Sequence, residues 1–539
     1  MGRDPKVIRM TSREPAASDN SGVTGETSER RVAAADASAG EHPLRSGAGL
    51  GEVSAAALVF FASAAVLVVE LVALRLLAPY LGLTLETNTL VIGIALAAIA
   101  LGSWGGGRVA DRVDPRSALA PLLAVSGITV AATPFAVRLA AASADGAFLL
   151  TASAATIIVP GALLSAVTPM VTKLRLTSLS ATGTVVGTLS GISTAGAIVG
   201  TVITGFVLIS AVPVTWIMVG LGVLLVLAAA AVEIGVRRVR ALSTAALGGV
   251  GLLAAAGIGS AVLPDNCDAE TTYHCASIVA DPAREGGRTL VLDALHHSYV
   301  DLADPTHLEF TYLRSFVAAV DSRFASGRPL RAHHIGGGGM TLPRYLAHTR
   351  PGTRSTVSEI DAGVVAIDRE HLGLEENENL QVRVEDGRIG LRSLGTGEAD
   401  LVVGDAFGGV SVPWHLTTRE AAEQVDRVLA PDGLYVLNVI DRGPVDFARA
   451  EAATLLETFA HVAVASTQRT LAGDGGGNIV VLASQSPLDI GGWTQRHADH
   501  DVPWQILTGA ELREWVGGSP VLTDEYAPVD QLLTPYASA

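Results

Sequence analysis

Positive charge is in short supply, and lysine most of all. Of the 37 basic residues among 539, two are lysines, Lys6 and Lys173, while 53 Asp and Glu bring the net charge to −16. A nucleic-acid partner would ask for a basic face, so no nucleic acid is expected. No lysine follows a glycine run in the spacing GxxxxGK[ST], which argues against a P-loop nucleotide site. Histidine and cysteine never fall in a usual zinc spacing, so no metal site is expected either. The opening residues carry no aromatics and no short apolar core ending in a cleavage site. Residues 1–52 are therefore expected to be a disordered polar tail and not a signal peptide.

Apolar residues, by contrast, abound. The chain is too long for one ordinary domain, and its mean hydropathy of +0.41 is too high for a soluble one. The excess is concentrated in residues 53–263, which predict a transmembrane helical domain. A span needs about 20 apolar residues, and seven runs qualify, roughly 54–78, 87–107, 117–140, 146–171, 184–209, 213–234 and 241–262. Arg108, Arg112 and Arg116, then Lys173 and Arg175, then Arg237, Arg238 and Arg240 all fall in alternate loops, on the side of the tail's Arg30, Arg31 and Arg45. The other loops, around 79–86 and 209–213, hold none. By the positive-inside rule the N-terminus is cytoplasmic, and seven spans deliver the rest of the chain outside. Cys267 and Cys275, just past the seventh run, form either a disulfide, which persists in an oxidising compartment, or two reduced thiols. In the fifth run Gly183, Gly187 and Gly191, then Gly196 and Gly200, recur every fourth residue and predict a close helix–helix face. Glu70 and Arg75 in the first run are expected to pair within the bundle.

Residues 264–539 return to a globular composition in which strand and helix patterns alternate, as in a parallel sheet. AHHIGG ends one strand and Gly336, Gly337, Gly338 and Gly339 open the helix TLPRYLAH. STVSEID then ends at Glu359 and Asp361, LQVRVEDG at Asp386, and ADLVVGDAF at Asp405; GLYVLNVID, HVAVAST and NIVVLAS follow. Ligands of such sheets lie beyond the carboxyl ends of the strands. Glu359 stands 23 residues after Gly336, the distance at which an acid meets ribose hydroxyls. A strand-ending Asp is often a helix N-cap, but three acids in register with the glycines predict a nucleoside site. Its acidic rim suits a cation, such as the sulfonium of an adenosylmethionine-type donor or a protonated amine.

The chain resembles the spermidine synthase (polyamine aminopropyltransferase) family in its membrane-fused form. The resemblance rests on GRTLVLDA, LEFTY, IGGGG, SEIDAGVVAIDREHL, VEDGR, the strand ending in Asp405, and DEYAPVDQLL, with ELVALRLLAPYLG and GGRVADR in the membrane part. It implies an α-helical membrane domain of about seven spans followed by a Rossmann-like, class I methyltransferase-like α/β domain (326–539). A small β cap with a connecting helix (264–325) lies between them. It further implies decarboxylated S-adenosylmethionine as co-substrate, with no prosthetic group, and putrescine as amine acceptor, giving spermidine and methylthioadenosine. Residue by residue, Asp405 matches the proton acceptor, and Gly336, Gly337, Gly338, Glu359, Asp386 and Gly387 match the donor pocket. Tyr312 matches a tyrosine of the amine site, with Glu309 and His274 as further amine-site candidates. Three positions depart from the family pattern: Gly339 replaces the glycine-loop Asp, Gly408 the second acid of D-x-x-D, and Leu313 a common His.

The chemistry asks for such residues. An ammonium cannot attack carbon until it loses a proton, and a carboxylate in hydrogen-bond reach can take it. The displacement beside the sulfonium then depends mainly on positioning and needs no metal. His274, His296, His297, His333 and His334 are therefore read as structural or gating. Two other readings share the scaffold: a methyltransferase using intact S-adenosylmethionine on an envelope metabolite or lipid, and a non-catalytic membrane protein that binds a polyamine or nucleoside. The expected surroundings are the lipid bilayer of the cell membrane, crossed many times, with the soluble domain extracytoplasmic; homo-oligomerisation is compatible with all three readings.

Overall fold

Runs of Ala, Val, Leu and Ile without a charge satisfy their backbone polar groups internally only as helices, and helices are what they form. In a computed structural model of the chain, residues 51–81, 85–141, 146–176, 182–237, 267–293, 295–409 and 411–533 are described. Six of their helices are long and apolar enough to cross a membrane: Glu52–Ala78, Thr87–Arg112, Pro115–Ala141, Phe148–Arg175, Thr182–Leu208 and Val214–Ile234. These match the first six expected runs, and the third and fourth are separate helices. The seventh run, 241–262, and the polar tail through residue 50 lie outside the described residues.

The two ends of the bundle differ. At one end the Lys173 ammonium lies 2.7 Å from Asp111, and Arg175 lies 3.9 Å from Glu52. Such solvated pairs contribute about 0–1 kcal/mol each, so they mark the basic end without holding it together. The soluble part sits against the other end. There Arg75 donates to the backbone carbonyls of Thr271 and Tyr273, and Glu270 accepts from the Val214 amide at 2.5 Å. Arg237 closes the sixth span at the basic end, whereas Cys267 lies beside Arg75, Tyr80 and Val214 at the opposite one.

Two expectations for the bundle are corrected here. Arg75 does not pair with Glu70; its guanidinium reaches out of the helix end to the two carbonyls, because five donors in a planar fork suit a pair of acceptors. The small-residue face is real for half of its length. A Cβ on Gly196 would lie 2.2 Å from the Phe60 carbonyl, and one on Gly200 2.6 Å from that of Ala64, so the first and fifth spans touch backbone to backbone. A Cβ on Gly183, Gly187 or Gly191 would meet nothing within 4 Å, since the repeat shifts register between Gly191 and Gly196 and turns those three away from the first span.

Replacing Arg75 by Gln leaves two carbonyls without their charged donor, a loss of about 1.5–3 kcal/mol by the usual range for such bonds. Amide hydrogen exchange in residues 271–275 is expected to quicken roughly tenfold or more. Unchanged exchange there would show that Arg75 does not anchor this segment.

Beyond the bundle, strands β1 to β4 (Ala269–Glu270, Cys275–Ala280, Gly287–Leu292, Leu295–Asp301) form an antiparallel sheet in sequence order. The helix Thr311–Arg323 then leads to eight more strands: β5 Arg331–Ile335, β6 Arg354–Glu359, β7 Leu380–Val384, β8 Ala399–Gly404, β9 Leu429–Arg442, β10 His461–Ser466, β11 Gly476–Ser484 and β12 Gln505–Thr508. Their order is β12-β10-β11-β9-β8-β5-β6-β7. Strands β5 to β9 pair in parallel, and β11 inserts antiparallel between β9 and β10.

All seven strands read from the sequence are present, and β12 adds an edge. Each residue of β8 is buried, as a parallel strand covered on both faces must be. Leu401 and Val403 pack with Leu434 and Val436 on one face, while Val402 packs with Tyr435 and Leu437 on the other. This period of two fixes which side chains leave the strand ends toward the site. The whole is the expected α-helical membrane domain followed by a Rossmann-like, class I methyltransferase-like sheet.

Candidate active site

The order of strands reverses at β5, which lies between β6 and β8, and the crevice beyond such a switch point is where open α/β sheets bind ligands. The glycine loop leaves β5 there and Asp405 leaves β8 beside it. Gly336 has φ +89°, and a Cβ on it would sit 2.3 Å from the carbonyl oxygen of Asp405, so only glycine lets the two strand ends come this close. Glu359, at the end of β6, accepts from the Gly337 amide on one carboxylate oxygen and from the Asp361 amide on the other, each at 2.9 Å. The acid thus fixes the loop while keeping a free lone pair on each oxygen.

Asp361 and Asp386 do act as helix N-caps. Asp361 accepts from the Gly363 amide, and its other oxygen takes the Thr271 hydroxyl, tying the small sheet to the large one. Asp386 accepts from the amides of Arg388 and Ile389 and from His415 Nε2 at 2.7 Å. Burial pushes the Asp386 carboxyl up, but the bonds from His415 and the two amides outweigh it and hold it below the usual carboxylate range. Unlike a bare cap, it also lines the cavity described below.

Asp405 is held at both of its oxygens by side chains. The Tyr312 hydroxyl donates to one oxygen at 2.9 Å and the Asn438 amide to the other at 2.9 Å, while Asn438 accepts in turn from Asn478 at 3.0 Å. Burial dominates and raises its pKa to about 6, against the opposing pull of Asn438 and Tyr312. Tyr312, pushed well above its ordinary value by burial and by Asp405, remains a proton donor throughout the physiological range.

One cavity of about 1480 Å³ joins these groups. Every site residue expected from the sequence lines it: Asp405, Gly336, Gly337, Gly338, Glu359, Asp386, Gly387, Tyr312, Glu309 and His274. Four carboxylates face it, and no Arg or Lys lines it among the described residues. His274 is held by Asp293 at 2.9 Å, and its ring lies 5.9 Å from that of His297. Burial, then the neighbouring His274, lowers His297 to about 4, and burial lowers His334 to about 3, so both are neutral at pH 7.

Sequence reasoning missed Asn438, Asn478 and His415, and also Tyr80, Ala140, Ala141 and Leu149 of the spans, all of which line the cavity. Asn438 left a readable signal as the polar residue inside the apolar run YVLNVI. The two departures from the D-x-x-D and glycine-loop patterns differ physically. A Cβ on Gly339 would meet Val300 at 2.7 Å and the Ser298 hydroxyl at 2.9 Å, so the small sheet occupies the space of a side chain; a Cβ on Gly408 would meet nothing within 4 Å.

Fold and site together define a methyltransferase-like domain with a large, acid-lined crevice at its switch point. Comparisons with known proteins point to one family within that class. The chain is 30% identical over 168 residues to a polyamine aminopropyltransferase of Vibrio vulnificus, covering 31% of this chain and 52% of that protein. It is 28% identical over 141 residues to one of Chromobacterium violaceum, covering 26% of this chain and 53% of the relative. The chain thus spans about half the length of the curated relatives it matches. A crystal structure of a probable spermidine synthase from Corynebacterium glutamicum aligns at 29% identity and a TM-score of 0.46, covering 49% of this chain and 98% of that one. No protein-family model matches. The curated relatives support the likeness to the spermidine synthase family seen in the sequence.

Proposed function

We propose that the chain is an aminopropyltransferase that uses decarboxylated S-adenosylmethionine as co-substrate and putrescine as acceptor. The observation that carries this reading is Asp405, held by Tyr312 and Asn438 at the strand end beside the glycine loop. Glu359 would hold the donor ribose, Gly336 to Gly338 would approach the nucleoside by backbone, and Asp386 with Gly387 would close the adenine side. The acceptor ammonium would give its proton to Asp405. Its nitrogen then attacks the methylene next to sulfur, the new C–N bond forms as the C–S bond breaks, and the electron pair of the broken bond neutralises the sulfonium as methylthioadenosine. Four carboxylates, with no Arg or Lys beside them among the described residues, favour a dication over a donor bearing its own carboxylate, which weighs against the methyltransferase reading. Mass spectrometry of purified protein with putrescine and each donor tests this. Spermidine with methylthioadenosine is the expected result; S-adenosylhomocysteine formed from the intact donor would replace the proposal with methyl transfer.

The assigned organisation is a tail (1–52), a membrane domain (53–263), a β cap with connecting helix (264–325) and the transferase domain (326–539), in the cell membrane with the last two parts extracytoplasmic. The contact between the soluble part and the basic-poor end of the bundle supports this sidedness, as does the disulfide between Cys267 and Cys275, whose Cα atoms are 5.4 Å apart. On intact cells a membrane-impermeant maleimide is expected to label both thiols after treatment with an impermeant reductant and neither before it. Labelling that requires permeabilisation would reverse the sidedness.

A further inference from the structure

The cavity is larger than its proposed substrates need. At about 1480 Å³ it exceeds the roughly 300–1,000 Å³ of ordinary small-molecule sites. The additional lining is of a different character from the acid-lined part. Tyr80, Ala140, Ala141 and Leu149 come from the ends of the first, third and fourth spans, and Leu292 and Leu295 come from the β3–β4 hairpin. That hairpin is held against the bundle end through Asp293, which accepts from the Cys275 amide at 3.1 Å, and Cys275 in turn lines a small cleft with Tyr80 and Arg75. The apolar wall and Asp405 therefore belong to one continuous space, and the wall lies at the level where the spans leave the bilayer. On the loop after Asp405, the position that would carry a second acid is Gly408, where a Cβ would meet nothing within 4 Å, so the space a side chain would take there is open. A diamine whose far ammonium needs a carboxylate beside Asp405 finds one fewer there; a chain that needs apolar contact finds more.

From this we infer that the acceptor side of the cavity takes a primary amine at the end of a long alkyl chain, drawn from the membrane surface, with the chain seated between the β3–β4 hairpin and the span ends. The inference rests on the aminopropyl-transfer reading and sets a long-chain amine in place of putrescine as the preferred acceptor. The four carboxylates select a cationic head and repel a phosphate, so a phospholipid headgroup is a poor fit. The reaction remains balanced as before: the amine nitrogen gains the aminopropyl carbon, sulfur leaves as the neutral thioether, and the proton goes to Asp405.

The test is a series of n-alkylamines from butylamine to dodecylamine, with putrescine alongside, offered with decarboxylated S-adenosylmethionine to the full chain in phosphatidylcholine nanodiscs. Each methylene that enters an apolar site multiplies kcat/KM by about fourfold at most. A rise of at least thirtyfold across the series is expected. In Ala141→Trp and in Leu149→Trp, the ratio of kcat/KM for dodecylamine to that for putrescine is expected to fall tenfold or more; a ratio is insensitive to the fraction of folded protein. Partition into the bilayer would raise wild type and variants alike, so a rise that both variants retain overturns the inference. So does a flat series beside rapid turnover of putrescine, which leaves aminopropyl transfer intact. Absence of methylthioadenosine with every amine, putrescine included, refutes the transfer reading itself and the inference with it.

Discussion

Asp405→Asn is expected to lower kcat by about 10²- to 10⁴-fold, the range associated with loss of a general base, while methylthioadenosine still binds as in wild type. The amide keeps the shape of the carboxylate and can still accept from Tyr312, but its NH₂ group then faces the Asn438 amide, which is itself oriented by Asn478. What is lost is the proton acceptor, and the donor pocket on the β6 side is untouched. The pH profile supplies an independent check. Because the group must be ionised to act, and burial raises its pKa to about 6, kcat/KM is expected to fall as pH drops through about 6. Tyr312→Phe removes a bond that favours the ionised form, so the same limb should move to higher pH. A limb that stays in place in Tyr312→Phe, or that persists in Asp405→Asn, would assign the titration to another group.

The same shift has a signature in stability. A carboxyl whose folded pKa of about 6 lies above its ordinary 3.8 binds its proton more tightly in the folded state. Its ionisation therefore costs stability, beginning above pH 3.8 and complete above about 6. Asp405→Asn is accordingly expected to lose less of its melting temperature than wild type between pH 4 and pH 7.5, on top of a constant offset from the two opposed amides. A variant that is less active and whose stability has lost this pH dependence is hard to explain by misfolding.

Why some of this could be read from the sequence, and some not, follows from what each signal encodes. Six spans were legible because 20 apolar residues have few other uses. The strands were legible because short runs rich in Val, Ile and Leu recur from β5 to β11, and the acids because each stands at a strand end or within two residues of it. Such runs say nothing of strand direction, so the antiparallel insertion of β11 between β9 and β10 was invisible. Likewise the glycine spacing in the fifth span showed that backbones could approach, but a phase shift of one residue decided which glycines did. Arg75 was read against its sequence neighbour Glu70, whereas its partners lie 196 and 198 residues away. The contribution of Tyr80, Ala140, Ala141 and Leu149 to the cavity depends on how two domains pack, which no local pattern carries.

The other large effect is expected at Glu359. In Glu359→Gln the side chain must still face two amide donors, those of Gly337 and Asp361. Its carbonyl can serve one of them, and its NH₂ then opposes the other, donor against donor. An unsatisfied buried donor costs about 1–3 kcal/mol, and loss of a charged acceptor for a ribose hydroxyl is of similar size, about 1.5–3 kcal/mol. The two together predict a rise in the dissociation constant for methylthioadenosine of roughly a hundredfold or more, measured by calorimetry. The KM for the donor should rise in step, while the KM for the amine, whose proposed contacts are Tyr312, Asp405 and Glu309, should change little. Gly337 ties the loop directly to Glu359, so exchange of its amide is also expected to quicken in this variant and to stay slow in Asp405→Asn. Equal loss of donor and amine affinity in Glu359→Gln would mean that the acid holds the whole crevice open and has no separate hand in the ribose; weakened donor binding alone is what a dedicated ribose acid produces.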